Sequence, residues 1–197
     1  MTESDFSDGD HTMDAANLGD AHQTTDEPSP PDQVRPFSQD WHEHLKLTIG
    51  EVACQQLGFY AIPDHITVSV VIPVYNEEAT LEKILDRVCA VPILKEIVLV
   101  DDYSIDDSAK IIESLKEKYS EDPFNTLKSY NHSRNRGKGA AIRTGFENVT
   151  GDIVIIQDAD LEYDPSEYPR LIQPIVEGRA DVVYGSRFLG DKPHRVL

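Results

Sequence analysis

Ile153-Val154-Ile155-Ile156-Gln157-Asp158-Ala159-Asp160 decides how this chain is read. Four apolar residues, mostly β-branched, are too few for a helix and have the composition of a buried strand. Two carboxylates follow at its C-terminal end, one residue apart. Open α/β sheets bind ligands at that end of their strands. Two oxygen-rich side chains there suit a hard divalent cation shared with phosphate oxygens. The plainer reading of an Asp-x-Asp is a polar turn, so its surroundings have to decide.

Working outward, Val68 to Ile72 and Glu96 to Val100 are two further short apolar runs, and a weaker one lies at Thr126–Tyr130. Between them come stretches with helical spacing: Glu77 to Ala90, Ser104 to Tyr119 and Lys138 to Asn148. Beyond Asp160, Ser166–Glu177 reads as a helix and Ala180–Tyr184 as another strand. Strands alternating with helices of crossover length predict βαβ units around a parallel sheet. Helices covering both faces explain strands that are apolar throughout. The expected fold class is therefore α/β, a Rossmann-like, doubly wound, mostly parallel sheet. Its reversal falls beside the first strand. Ligand chemistry is expected near Tyr75–Glu77, Asp102 and Asp158–Asp160, three polar clusters at three strand ends.

Composition narrows the functional classes. The net charge is −18 over 197 residues, which argues against general binding to nucleic acid. Residues 1–40 hold ten acids and one base, Arg35, and so carry −9. This stretch has too few large aliphatic residues to offset its ordering entropy and reads as a disordered acidic tail, solubilising or regulatory. Residues 41–66 read as a linker with an amphipathic helix, built on Trp41, Leu45, Leu47, Ile49, Val52 and Leu57. Such a helix would dock on the domain or lie at a membrane surface, and its few basic residues favour docking. No run approaches the roughly 18 apolar residues of a spanning helix. The two cysteines, Cys54 and Cys89, have no metal-like spacing and fit a reducing cytosol. Neither do the histidines show any metal spacing.

Each cluster has a bland and a chemical reading. After Asp101-Asp102, Ser104 serves as a helix N-cap, and one acid favours the helix dipole. A second acid at the rim could instead accept bonds from a base or a ribose. Arg134-Asn135-Arg136-Gly137-Lys138-Gly139 is a basic island in an acidic chain. It is a solvated turn, or else a glycine-rich entry to a helix whose N-terminus attracts anions. It is not a Walker A loop, because Gly139 stands where Ser or Thr should follow the lysine. The run Asp158-x-Asp160-x-Glu162-x-Asp164 is not a calcium loop, since Tyr163 occupies the glycine position and Pro169 that of the final Glu. A receiver-like signalling domain is disfavoured because the acidic pair follows the second strand instead of the first.

Five segments together resemble the family 2 glycosyltransferases of GT-A fold, most closely the polyprenol- and dolichol-phosphate hexose synthases. They are Val71-Ile-Pro-Val-Tyr-Asn-Glu77, Val100-Asp-Asp-Tyr-Ser-Ile-Asp106, Asn135-Arg-Gly-Lys-Gly139, Gln157-Asp-Ala-Asp-Leu-Glu162 and Val183-Tyr-Gly-Ser-Arg-Phe188. The resemblance covers about residues 67–190 and implies a GT-A nucleotide-sugar-binding domain over 67–197. It implies inverting transfer of a hexose from GDP-mannose or UDP-glucose to a polyprenyl or dolichyl phosphate, at the cytosolic face of a membrane. It also implies that Pro73, Tyr75, Glu77 and Asp102 line the nucleotide pocket. Asp158, Asp160 and Glu162 would hold Mg²⁺ or Mn²⁺, and Arg187 and Lys138 would face phosphates. Asp158, Asp160 and Arg187 would carry the catalysis. Two departures stand out: Tyr103 replaces a common glycine after the acidic pair, and Leu197 falls where family domains continue. The second reads as a C-terminally incomplete catalytic domain. A non-catalytic sugar-nucleotide-binding module, or a different acceptor, is the alternative.

Overall fold

A computed structural model describes residues 34–185. Helices α1 (Gln39–Ile49) and α2 (Glu51–Leu57) lead into β1 (Val68–Val74), α3 (Leu81–Ala90), β2 (Lys95–Asp101), α4 (Ser108–Lys118), β3 (Asn125–Asn131), α5 (Lys138–Asn148) and β4 (Ile153–Ile156). A single 3-10 turn, Pro165–Glu167, then precedes α6 (Tyr168–Val176). The sheet runs β3-β2-β1-β4, with every neighbouring pair parallel. The chain builds outward from β1 to β3 and then returns to β1's other side, so the reversal lies between β1 and β4.

Alternation along the strands sends side chains to two cores. Val68, Val70, Ile72, Val74, Ile97 and Leu99 pack against Leu81, Ile84, Leu85 and Val88 of α3, Ile112 and Leu115 of α4, and Ile172 of α6. Val71, Val98 and Val100 pack with Ala141 of α5 on the opposite face. Each such side chain contributes about 1.5–3 kcal/mol when fully buried. Gly145 lets α5 lie close on β1, since a Cβ there would sit 2.3 Å from Cγ1 of Val71. The two central strands are buried along nearly their whole length, as the apolar runs imply. The outer strands β3 and β4 are only partly buried, with Val154 and Ile156 exposed.

The expected helix at the N-terminal side is two helices, broken at Gly50, whose φ is 88°. Aromatic residues attach this segment to the sheet layer. The Phe37 ring packs at a tilt, its centroid 5.2 Å from that of Trp41 and 5.6 Å from that of Tyr60, and the Tyr60 hydroxyl donates to the Pro169 carbonyl. Leu47, Val52 and Leu57 face outward. The first helix begins at Gln39, within the stretch read as tail; residues 1–33 of that stretch lie outside the described residues.

Ala180–Tyr184, expected as a strand, forms none among the described residues. Val182 and Tyr184 are 64% and 89% exposed, so among the described residues their side chains have no core to pack into. Helices α3 and α4 also start four residues later than their periodicity suggests. The residues ahead of each, 77–80 and 104–107, are spent on turns that bind one another, described next.

Candidate active site

The loops after β1 and β2 are laced together. The Asn76 side chain accepts from Ile105 N–H at 2.9 Å, while Asn76 N–H donates to the Ser104 hydroxyl at 3.0 Å. Glu77 N–H donates to Ser108 Oγ, Glu78 N–H to Asp106, and Asp107 N–H to Glu78. Ser104 is therefore not an N-cap: its hydroxyl and N–H both donate to Asp101 Oδ1. Of the residues expected to line a nucleotide pocket, Tyr75 is 46% exposed at the end of β1. Pro73 is paired in register with Val100, and the Glu77 carboxylate accepts from the Thr80 hydroxyl at 2.6 Å.

Three of the four non-glycine residues with positive φ among the described residues lie at this edge of the sheet; the fourth, Phe37, precedes α1. Asn76, Tyr103 and Leu161, just beyond β1, β2 and the end of the β4 segment, have φ of 56°, 68° and 66°. A left-handed conformation costs a non-glycine residue about 1–2 kcal/mol. Tyr103 thus takes up a backbone conformation that glycine adopts without penalty. Strain of this sort clusters at ligand-binding edges.

Asp102 is only 2% exposed and holds the basic island in place. Its carboxylate accepts from Arg136 N–H at 2.8 Å, Gly137 N–H at 2.6 Å and the His132 ring at 2.6 Å. The other His132 nitrogen meets the Thr144 hydroxyl of α5 at 2.9 Å. Burial works against the charged form of Asp102, but these donors outweigh it and hold the carboxyl below the usual carboxylate range. His132 and Thr144 were not legible as site residues. They lie 30 and 42 positions from Asp102 in no motif, and only the position of His132 directly after β3, at the same sheet edge, marks it.

The acidic segment after β4 is shaped from beneath. Gln157 is buried; its amide donates to the carbonyls of Asp158 and Tyr163, and its oxygen accepts from the Tyr168 hydroxyl at 2.7 Å. Ala159 turns into the core at 4% exposure, so Asp158 and Asp160 flank it on the outer side. One Asp160 oxygen accepts from Glu162 N–H at 3.1 Å. The Lys138 ammonium, on the first residue of α5, lies 2.6 Å from Asp158 Oδ1. The basic island and the Asp-x-Asp, separate motifs in the sequence, meet in that contact.

Asp158 and Asp160 supply the oxygen donors that a hard divalent cation takes and could hold one, and Asp158 is already paired with the Lys138 ammonium. Among the described residues no three His, Cys, Asp or Glu side chains gather into a metal shell. The expected trio with Glu162 is thus not assembled, and substrate oxygens and water would have to complete the coordination. Arg187 lies outside the described residues. A cleft of about 700 Å³ between α2, α3 and α6, lined by Phe37, Arg87, Gln173 and others, includes none of the expected site residues.

Residues 69–194 match the model of the glycosyl transferase family 2. The chain belongs to that family. Over 120 residues it is 48% identical to an undecaprenyl-phosphate 4-deoxy-4-formamido-L-arabinose transferase of Pseudomonas savastanoi pv. phaseolicola, covering 59% of this chain and 34% of the relative. A transferase of the same name from Shewanella sediminis is 44% identical over 115 residues, covering 56% and 34%. The chain thus spans about a third of the length of the curated relatives it matches. Among solved structures, the mannosyltransferase PcManGT from Pyrobaculum calidifontis, in complex with GDP-Man and Mn²⁺, is 26% identical. That match covers 67% of this chain and 40% of the other, with a TM-score of 0.49.

Proposed function

We propose that this family 2 domain is the donor-binding part of a metal-dependent, inverting glycosyltransferase. It moves a hexose from a nucleotide sugar, GDP-mannose or UDP-glucose, to a polyprenyl phosphate at the cytosolic face of a membrane. The observation that carries this reading is the meeting of Asp158 and Lys138 at the sheet's reversal, within the matched segment. The names of the bacterial relatives support a polyprenyl phosphate as acceptor. Among the described residues no helix is long and apolar enough to cross a membrane.

In this reading Pro73, Tyr75 and Glu77 face the nucleoside. Asp102 acts by holding the 132–137 loop and the start of α5, whose N–H groups and Lys138 then face the diphosphate. Asp158 and Asp160 would hold Mg²⁺ or Mn²⁺, which would supply positive charge to the departing nucleoside diphosphate. Lys138 and Arg187 add positive charge to the same phosphates. An acceptor phosphate oxygen attacks the anomeric carbon as the bond to the diphosphate breaks, which inverts that centre. The acceptor is already ionised near neutral pH and needs no strong protein base.

Calorimetric titration of the chain with GDP, UDP and their hexose conjugates, in Mn²⁺ and in EDTA, tests the reading. Binding of one nucleotide that requires the metal is expected. Equal affinity with and without metal overturns the metal assignment. Hexose transfer to a polyprenyl phosphate by a longer protein containing this domain would separate an enzyme from a sugar-nucleotide-binding module.

A further inference from the structure

The Lys138–Asp158 ion pair joins two side chains of unequal freedom. Asp158 sits on backbone fixed from several directions: Gln157 binds its carbonyl, Gln157 N–H donates to Val71 at 3.0 Å, and Ala159 is anchored in the core. The Lys138 backbone is fixed too, because Asp102 grips Arg136 and Gly137 just before it. The lysine side chain is different. It is 59% exposed, against 19% for Asp158, and it extends on a flexible four-carbon stem. Such a part-exposed pair is readily given up. Its ammonium also lies within hydrogen-bond distance of a carboxylate oxygen that a divalent cation would need, and two cations cannot share that place.

We propose that Lys138 is a displaceable counter-ion. Without nucleotide it occupies Asp158 in place of a metal ion, and when metal and nucleoside diphosphate enter together it transfers to a phosphate oxygen. This rests on the reading of Asp158 as a metal ligand. The consequence is coupling between two ligands. A metal ion arriving alone must evict the ammonium without offering it another anion. A metal–diphosphate complex supplies that anion, so each ligand strengthens the other's binding, reciprocally. The device would keep Asp158 charge-compensated without a cation and reserve firm metal binding for the nucleotide-bound state.

The test uses the full chain and two variants, Lys138→Met and Lys138→Arg, with Mn²⁺ followed by electron paramagnetic resonance and by calorimetry, alone and with GDP or UDP. Lys138→Met should bind Mn²⁺ alone about tenfold more tightly, because a positive charge has gone from the carboxylate. It should bind the nucleoside diphosphate in Mn²⁺ about tenfold more weakly, because a charge-assisted phosphate contact has gone. Lys138→Arg keeps the charge and should lie nearer the wild type in both. If the wild type shows metal-dependent nucleotide binding and Lys138→Met leaves the affinity for Mn²⁺ alone unchanged or weaker, the counter-ion role is overturned and the metal reading stands. If the wild type binds the nucleotide equally in Mn²⁺ and EDTA, the metal reading fails and this inference fails with it.

Discussion

The two edges of one sheet each carry a buried carboxylate, yet they are built for different ends. At the amino edge, Glu96 accepts from Ser69 Oγ, Lys128 Nζ, the Thr150 N–H and hydroxyl, and Gly151 N–H. It is 4% exposed, and no residue around it has a left-handed backbone. At the carboxyl edge, Asp102 is also buried and accepts three hydrogen bonds, but three non-glycine residues of positive φ and the less buried acids Asp158 and Asp160 lie at the same end of the sheet. A buried, saturated acid alone therefore identifies structure. Strained turns and less buried carboxylates, one of them paired with the part-exposed Lys138, mark the edge proposed to receive a ligand. Breaking each edge in turn should separate binding from stability.

The largest effect is expected from Asp158→Ala. Metal-dependent nucleotide binding should fall by about 100-fold or more, since the proposed metal ligand is removed, while thermal unfolding stays close to wild type. Calorimetry and circular dichroism on the same sample check both halves. The assignment fails if nucleotide affinity is retained.

Glu96→Gln should do the reverse, lowering stability while leaving nucleotide affinity intact below the melting range. Burial pushes the Glu96 carboxyl up, but Lys128, Ser69 and Thr150 outweigh it and bring it down to about 2 from 4.5. A folded-state value below the unfolded one means stability that is fully present above about pH 4.5 and is lost as pH falls toward 2. Its size is about 3 kcal/mol at 1.36 kcal/mol per pKa unit. Denaturant melts of wild type and Glu96→Gln across that window should converge as the pH drops. A constant gap would show that the ionised form of Glu96 is not what stabilises the edge.

His132→Ala tests the other buried acid, removing a charge-assisted bond from Asp102 and its link to Thr144. A loss of about 2 kcal/mol is expected, together with weaker nucleotide binding because the 134–138 loop loosens. Restored affinity in His132→Asn would show that hydrogen bonding suffices. Stability loss with unchanged nucleotide affinity would place this network with the structural edge. The smallest change should come from Tyr103→Gly, which relieves a left-handed tyrosine and should raise stability by about 1 kcal/mol. No gain in a thermal melt would mean that Tyr103 makes a compensating contact.

Residue by residue, the sequence read well wherever the signal was local. Helix α5 has the expected bounds, Lys138–Asn148, because a Gly-Lys entry and an apolar periodicity both lie within the segment. Helices α3 and α4 start later than their periodicity predicts because the residues before them have helical composition but bind the neighbouring loop. Ala180–Tyr184 has strand composition, yet a strand exists only through its partner, and that segment has none among the described residues. At the candidate site, the placement of Asp158 and Asp160 just past β4 was legible from the apolar run before them. The Asp102–His132–Thr144 chain was not, since hydrogen bonds between distant positions leave no periodic trace.

The sequence by itself determined the parallel α/β class, the strand ends where polar residues collect, and the family. Those follow from local hydrophobic period and from short motifs in a fixed order. Only the tertiary structure decided which acids are spent on holding loops and which stay open, and that Lys138 meets Asp158. Such choices depend on distances between segments far apart in the chain, which are set when β4 returns to the side of β1 and carries its carboxylates to the start of α5.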